Sequence, residues 1–223
     1  MSECRYNVDV VDIVSERREV MQTMHSDLRK EEIVNACAVL YDKYNFKDIT
    51  IKLISEQTTF SRPSIYNYFE TKEEIFLALF QKEYEKWQSE VDEIRENNDS
   101  LTKDEFSKML AHTLEDKERL LKLLSMNMYD LEENSRMERL TEFKEAYGRA
   151  VHSVKICLNK FFKDMKEEEV IEFIYSFFPF MFGIYPYAIV TKKQKKAMEN
   201  ANIDYKYFTI YEIAYIGIKK LLG

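Results

Sequence analysis

Apolar residues recur at three- and four-residue intervals over much of this 223-residue chain, which is the spacing of amphipathic helices. The first clear case predicts a helix from Ser26 to Tyr44, with one apolar face: Ile33, Cys37, Leu40, Tyr41 and Tyr44. In that position we expect Cys37 to be a buried small hydrophobic residue rather than a reactive thiol. Four glycines and three prolines are far too few for a turn-rich β protein, so the chain is predicted to be all-α.

Helix starts are marked by a Ser or Thr followed three residues later by a Glu or Gln, the pattern of a capping box. Five such pairs lie at breaks in the apolar periodicity: Thr71/Glu74, Thr102/Glu105, Ser135/Glu138, Thr191/Gln194 and Thr209/Glu212. Together with polar loops at 97–100 and 132–134, they predict seven further helices. The predicted ranges are 72–96, 103–113, 116–131, 136–162, 167–190, 192–200 and 210–222.

The stretch between Thr50 and Lys72 predicts two short helices joined by a tight turn. Ser61 is a good N-cap for the second of them, and Pro63 in its first turn has no intrahelical bond to lose. This second helix is predicted to run from Arg62 to about Tyr68. Phe60, Ile65 and Phe69 supply the apolar contacts of this segment. The outward side of the helix holds polar residues able to contact phosphates and base edges: Arg62, Ser64, Tyr66, Asn67 and Tyr68.

The segment SRPSIYNYFETKEEIF resembles the recognition helix and following helix of the TetR family of one-component transcriptional regulators, and the resemblance begins near Glu31. Members usually carry Gly at the positions of Asn45 and Thr59, and we expect Asn45 to act as a left-handed helix C-cap instead. The resemblance implies a helix-turn-helix on a helical body that dimerises and usually binds a small effector. We therefore predict an N-terminal extension at 1–25, a DNA-binding domain at 26–72 and an effector-binding and dimerisation domain at 73–223.

Within that scheme the predicted DNA-binding residues are Thr50, Ser61, Arg62, Ser64, Tyr66, Asn67, Tyr68 and Lys72. We expect Thr50, Tyr68 and Lys72 to contact phosphates, because a cap, a hydroxyl and an ammonium suit that role. Arg62, Ser64 and Asn67 are the better candidates for contacting bases. The extension is expected to be disordered or loosely packed; alternatively, Arg17 and Arg18 reach toward the DNA.

The net charge of −7 is unusual for a DNA-binding protein. The stretch from Asp27 to Lys72 has as many basic as acidic residues, so the deficit lies elsewhere, and we expect specific binding with weak non-specific affinity. Three scattered cysteines favour neither disulfides nor a zinc site, and they suit the cytoplasm. No sequence motif of an enzyme, metal site or cofactor site is present, so we expect none of these functions.

Residues 173–191 carry no charge, which raises the question of a membrane span. Pro179, Pro186 and several tyrosines argue against one, and we expect instead a helix buried between its own core and a partner subunit. The last helix would share a four-helix homodimer interface with it through Ile210, Ile213, Ala214, Gly217 and Leu221. Gly217 is expected to allow close approach between the subunits.

An effector pocket, if present, would take an apolar or aromatic molecule. Its candidate residues are the aromatic and Met residues of the middle helices, which are also ordinary core candidates: Trp87, Met109, Met126, Tyr129, Phe143, Tyr147, Phe178, Met181 and Tyr185. The sequence thus predicts a cytoplasmic homodimeric repressor of a palindromic operator on double-stranded DNA. The alternatives are a protein-interaction module, a ligand-independent regulator and a membrane-anchored regulator.

Overall fold

The structure is a computed structural model that describes residues 6–126 and 128–223. Within the first helix, the described side chains are those of residue 21 and of residues from 24 onward. Those ranges contain eleven α-helices and no strand, which confirms the all-α prediction. The helices are α1 Tyr6–Tyr41, α2 Ile51–Ser55, α3 Arg62–Ile65, α4 Lys72–Asn97, α5 Lys103–Glu115, α6 Glu118–Leu124, α7 Met128–Glu133, α8 Met137–Phe161, α9 Glu167–Ala188, α10 Lys192–Asn200 and α11 Ile210–Leu222. A 3-10 turn, Phe46–Asp48, follows α1.

Three predicted segments differ from the structure. The extension expected to be loose is helical from Tyr6 and continuous with the helix predicted from Ser26, while the side chains of Arg17 and Arg18 lie outside the described ones. The helix predicted for 116–131 is two helices, and Ser125, the C-cap of α6, donates its hydroxyl to the carbonyl of Lys122 at 2.8 Å. The α-helical part of the segment predicted as 62–68 ends at Ile65 and continues only as a turn.

The five predicted capping pairs have three different outcomes in the structure. Complete capping boxes form at Thr102/Glu105, Thr191/Gln194 and Thr209/Glu212. At Thr71, the hydroxyl accepts from the amide of Glu74 at 3.2 Å, as predicted. Ser135 is not a cap: its hydroxyl donates to Leu131 at 2.7 Å, and α8 starts one residue later than this pair implies.

The connection after α1 differs from the one expected. Asn45 has φ −84° and ψ 159°, an extended conformation, so the prediction of a left-handed cap is wrong. The amides of Lys43 and Tyr44 both donate to the carbonyl of Leu40, at 3.0 and 2.9 Å, which ends the helix before Asn45. The chain therefore has no need of a glycine at this point.

The chain divides into two compact units between Phe76 and Leu77. In the first unit the buried side of α1 meets the short helices around a core that contains Ile33, Cys37, Leu40, Tyr41, Ile49, Ile54, Ile65, Phe69 and Phe76. The rings of Tyr41 and Phe76 meet edge to face at 5.2 Å. Cys37 is wholly buried as predicted, whereas Tyr44 is 46% exposed, because the helix ends before that residue would turn inward.

In the second unit α9 is central, with α6, α8 and α11 beside it and α5 against α11. Its core side is wholly or nearly buried: Val170, Phe173, Ile174, Phe177, Phe178, Met181 and Ile184. Pro179 and Pro186 lie on its exposed side. By length and mean hydropathy (1.2) α9 is the one described helix apolar enough to cross a membrane, a test that core helices of soluble proteins also pass.

The last helix packs within its own chain. Ile210 and Ala214 are buried there, together with Ile218 and Leu222. They therefore cannot form the homodimer contact that the sequence analysis predicted for them. A Cβ at Gly217 would overlap the ring of Phe180, which shows that this glycine permits close approach of α11 to α9 in one chain rather than between chains. Ile213 and Leu221 remain half-exposed.

A polar cluster fastens the other side of α11 to α5. Asp104 accepts hydrogen bonds from Lys219 at 2.8 Å and from Tyr215 at 2.7 Å, and it forms an ion pair with Lys108 at 2.7 Å. These bonds, that of Lys108 first, hold the pKa of the Asp104 carboxyl well below its usual range. The cluster fixes the position of α11 beside α5.

Candidate nucleic-acid interface and effector site

The two short helices of the first unit are each capped at the start and anchored by buried apolar residues. The hydroxyl of Thr50 accepts from the amide of Leu53 at 3.2 Å, and Ile54 anchors α2 in the core. Ser61 caps α3, and Ile65 and Phe69 are wholly buried beneath it. Because these anchors occupy one side of α3, its other side faces solvent.

The turn between α2 and α3 is tied to α1 by a single carboxylate. Oε1 of Glu32 accepts from both the amide and the hydroxyl of Thr59, at 2.7 and 2.9 Å. Among the described residues other than glycine, only Asn202 has positive φ, so Thr59 sits in the turn without that strain. Glu32 and Thr59 were not predicted as a pair, since they are 27 residues apart and no periodic pattern links them.

The outward residues of α3 and the turn after it form a polar surface. The guanidinium of Arg62 donates to the hydroxyl of Tyr66 at 3.2 Å and lies 5.8 Å from the centre of its ring. The hydroxyls of Ser61 and Ser64 are 2.8 Å apart. Asn67 is exposed, and its side-chain amide bonds to no described residue, so both its donor and its acceptor are available.

Two more of the predicted residues have internal partners. The hydroxyl of Tyr68 accepts from Arg29 at 3.1 Å, and this bond raises the pKa of the Arg29 guanidinium. The ammonium of Lys72 donates to the carbonyl of Phe46 at 2.8 Å and lies 3.8 Å from the centre of the Phe46 ring. Arg29, which was not predicted, thereby adds an exposed cation beside Tyr68.

All eight predicted DNA-binding residues thus lie at the surface of the first unit, five of them on α3 and the turn after it. Their hydroxyls, amide and cations are the groups that proteins use on phosphates and base edges. No group of His, Cys, Asp or Glu that could hold a metal ion occurs in the described part of the chain.

Four of the nine effector candidates meet in one aromatic cluster of the second unit. Phe178 lies 5.9 Å from Trp87 and 5.5 Å from Tyr147, and Tyr84 lies 6.1 Å from Phe143. Trp87 is wholly buried and donates its indole N–H to the hydroxyl of Thr113 at 2.8 Å. Of the other five candidates, Met181 is buried, and three are half-buried: Met109, Met126 and Tyr185. Tyr129 is 78% exposed and lies outside the cluster.

Tyr84 is the member of this cluster that the sequence analysis missed. Its side chain is 1% exposed, stacks on Phe80 at 5.0 Å and makes no hydrogen bond to any described residue. Burial and the neighbouring Tyr147 raise the pKa of its hydroxyl far above the usual range. The hydroxyl of Tyr84 is therefore available for one polar contact with a bound molecule.

Two regions of the chain match known protein families. Residues 33–79 match the family described as bacterial regulatory proteins, tetR family, and residues 81–209 match the tetracyclin repressor-like C-terminal domain. No curated protein matches the chain.

Solved structures give the same fold. A proposed TetR-family transcriptional regulator from Mesorhizobium loti MAFF303099 is similar with a TM-score of 0.59 and 15% identity, over 88% of this chain and 96% of that one. The fatty acid degradation regulator FadR from Bacillus halodurans is similar with a TM-score of 0.54 and 16% identity, over 86% and 97% of the two chains.

Proposed function

Since the chain belongs to the tetR family of DNA-binding transcriptional regulators, which are not enzymes, we propose that it is a homodimeric repressor. In this proposal it binds a palindromic operator and leaves it when a small apolar or aromatic effector binds. A regulator of this kind acts in the cytoplasm, where the DNA is. Its DNA contacts come from the first unit and its effector site from the second.

The observation that carries the DNA-binding proposal is the unoccupied amide of Asn67 on an outer surface of capped, polar residues. Asn can form two hydrogen bonds to adenine, and the neighbouring Arg62 can do the same with guanine. Arg29, Thr50 and Lys72 add groups suited to phosphates. A surface for docking another protein would instead present large apolar anchors at its centre.

Footprinting on selected DNA tests the proposal. Two copies of α3 related by a two-fold axis should contact successive major grooves, so the operator should be an inverted repeat with half-site centres about 34 to 36 Å apart, or a multiple of that distance. A single unsymmetrical footprint would contradict the dimer on DNA, and failure to select any sequence would contradict specific recognition.

The effector proposal is supported by the aromatic cluster and by the unpartnered hydroxyl of Tyr84. An apolar or aromatic body would pack against the rings, and one polar group would bond to that hydroxyl. The name of the similar FadR protein makes fatty acids and their derivatives a sensible first set to screen. If no compound in a broad set of this kind releases the operator, a ligand-independent regulator is favoured.

A further inference from the structure

Two side chains of α1 hold the recognition segment, which we define as residues 59–68, at both of its ends. At the first end, Oε1 of Glu32 accepts from the amide and the hydroxyl of Thr59, at 2.7 and 2.9 Å. At the other end, the guanidinium of Arg29 donates to the hydroxyl of Tyr68 at 3.1 Å. Because Arg29 and Glu32 are three positions apart, they lie one turn apart on the same face of α1. One helix face therefore contacts the chain on both sides of α3.

The recognition segment has little of its own to fix its direction. The helix α3 is only four residues long, Arg62–Ile65, and isolated helices of that length are not stable in water. The segment is anchored in the core by Ile65 and Phe69, which are wholly buried. Apolar packing is not directional, so these anchors set the depth of the segment, and hydrogen bonds at its ends are needed to set its rotation.

Apolar packing also leaves the turn before α3 partly open. A groove of about 400 Å³ lies beside Glu32, and its lining includes Leu28 and Val39 of α1 and Gln57 just after α2. Thr59 itself is exposed. The two bonds from Thr59 to Glu32 therefore provide a connection between this turn and α1 that side-chain packing does not provide.

The charge of Glu32 distinguishes two possible effects on DNA binding. A carboxylate on the DNA-binding unit repels phosphates, so by charge alone Glu32 weakens binding to every sequence. Its hydrogen bonds to Thr59 should favour a specific site, because charge-assisted bonds are short, strong and directional. Loss of the carboxylate should therefore strengthen binding to scrambled DNA, but it should weaken binding to the operator if Glu32 orients α3.

We propose that Glu32 is a positioning residue for DNA recognition, which acts through Thr59 to fix the direction in which the recognition segment presents Arg62 and Asn67. The proposal rests on the operator binding proposed above and names a residue outside the recognition segment that determines its specificity. Hydrogen bonds to base edges require a defined direction, whereas contacts to phosphates mainly need opposite charge. A recognition segment released at Thr59 should therefore lose more specific than non-specific affinity.

Three variants of the full-length chain test this role. Glu32→Ala removes both bonds, Glu32→Gln removes the charge but keeps an oxygen that can accept from Thr59, and Thr59→Val removes the hydroxyl but keeps the amide. The affinities for the selected operator and for scrambled DNA are measured, and their ratio gives the specificity. Glu32→Ala should lower this ratio about 10- to 100-fold, with weaker binding to the operator and tighter binding to scrambled DNA. The other two variants should lie between it and the wild type.

Two further readouts separate positioning from a purely structural bond. Affinities are compared under conditions in which urea unfolding and circular dichroism show every variant to be folded, so lost stability cannot account for a lower ratio. Sequence selection with Glu32→Ala should relax several base positions together, whereas loss of one base-contacting side chain relaxes one. The double variant Glu32→Ala with Thr59→Val should bind like Glu32→Ala alone, because the hydroxyl has already lost its acceptor.

Asp48→Ala is the matched control for the loss of a negative charge. Asp48 is an exposed residue of the same unit, and its carboxylate bonds to no described residue. Its removal should change the affinities for operator and scrambled DNA by the same factor and leave their ratio at the wild-type value.

The possible outcomes separate this proposal from the proposed function. If the wild-type chain selects an operator and Glu32→Ala has the wild-type ratio, the positioning role is overturned and operator binding stands. Equal strengthening of both affinities, as expected for Asp48→Ala, would show that Glu32 acts by charge alone. If the wild-type chain selects no sequence, operator binding is overturned, and the positioning role with it.

Discussion

At the scale of single residues, the hydroxyl of Tyr84 gives the sharpest expectation, because it is buried without a hydrogen bond to a described residue. Tyr84→Phe should leave the free energy of unfolding at neutral pH nearly unchanged, because the substitution breaks no hydrogen bond to a described residue. The raised pKa predicts a second effect: above about pH 10 the unfolded tyrosine ionises while the folded one does not, so wild-type stability falls with rising pH and phenylalanine becomes the more stable variant.

Urea unfolding at neutral pH and at about pH 10.5 measures both effects. Thr113→Val is the contrasting variant, because it removes the acceptor of the buried Trp87 indole and should lower the free energy of unfolding by about 1 to 3 kcal/mol. Destabilisation by Tyr84→Phe would mean that the hydroxyl has a favourable partner after all.

Asn67 and Lys72 are expected to contribute to DNA binding in different ways. Asn67→Ala should relax the preference at one base position by about 1 to 3 kcal/mol and leave stability unchanged, because its amide has no internal partner. Lys72→Ala should weaken binding to every sequence and flatten the salt dependence by about one unit of slope. It should also lower the free energy of unfolding by about 1 to 2 kcal/mol, because Phe46 loses an ammonium partner.

Binding curves on the operator, on its single-base variants and on scrambled DNA distinguish the two roles. Lys52→Ala is the control for stability, since this exposed lysine has only a 3.9 Å ion pair with Glu56 and its loss should leave the free energy of unfolding unchanged. Identical behaviour of Asn67→Ala and Lys72→Ala on scrambled DNA would show that the assigned roles are wrong.

At the scale of elements, Gly217 shows how a sequence pattern can identify a feature but not its partner. The apolar face of the last helix and the close approach at Gly217 were both predictable from residues 210–222. That the approaching group is Phe180 of the same chain was not, because helical periodicity does not say which neighbour a face meets. Gly217→Leu should therefore overpack the fold itself and lower the free energy of unfolding by about 1 to 3 kcal/mol.

The double variant with Phe180→Ala should recover part of that loss, since it removes the ring that the new side chain meets. Gly148→Ala is the control: this helix-interior glycine has open space around it, and the substitution should raise the free energy of unfolding by about 0.4 to 1 kcal/mol. Thermal and urea unfolding of the three proteins provides the comparison. An unchanged stability for Gly217→Leu would mean that α9 and α11 separate readily.

The elements that sequence analysis located well are those fixed by local chemistry. Capping boxes join residues three apart, so Thr102, Thr191 and Thr209 marked helix starts correctly. The contacts it missed join distant segments: Glu32 to Thr59, Arg29 to Tyr68 and Lys72 to Phe46. At the DNA-binding surface the residue types were therefore predictable, whereas the bonds that orient them depend on the packing of α1 against the rest of the unit.

At the scale of the whole molecule, dimerisation and DNA affinity should be lost together. Tyr175→Asp places a charge on the exposed side of α9, which the homodimer proposed above is expected to bury, and the dimer dissociation constant should rise at least tenfold. Operator affinity should fall with it, because two half-sites need two linked copies. Tyr129→Asp is the matched control for Tyr175→Asp, since both tyrosines are 78% exposed. It should change neither the dimer dissociation constant nor the operator affinity. Equal effects of the two substitutions in sedimentation and operator-binding experiments would contradict the exposed side of α9 as the dimer interface.

Effector and operator should oppose each other by equal factors. Binding equilibria at two sites are reciprocal, so an effector that weakens operator binding by a given factor must itself be bound more weakly by the same factor when operator is present. A coupling free energy of about 1 to 3 kcal/mol corresponds to about 5- to 150-fold. The chain supplies its own probe, because Trp87 is its only tryptophan and lies in the aromatic cluster.

The measurement is a pair of titrations. Effector is titrated against Trp87 emission with and without saturating operator, and operator is titrated with and without saturating effector. A scrambled duplex serves as the control and should leave the effector affinity unchanged, because it is bound only weakly. Compounds that release the operator without altering Trp87 emission would place the effector site outside the aromatic cluster. If operator and effector change each other's affinity by different factors, a further equilibrium, such as loss of the dimer, accompanies binding.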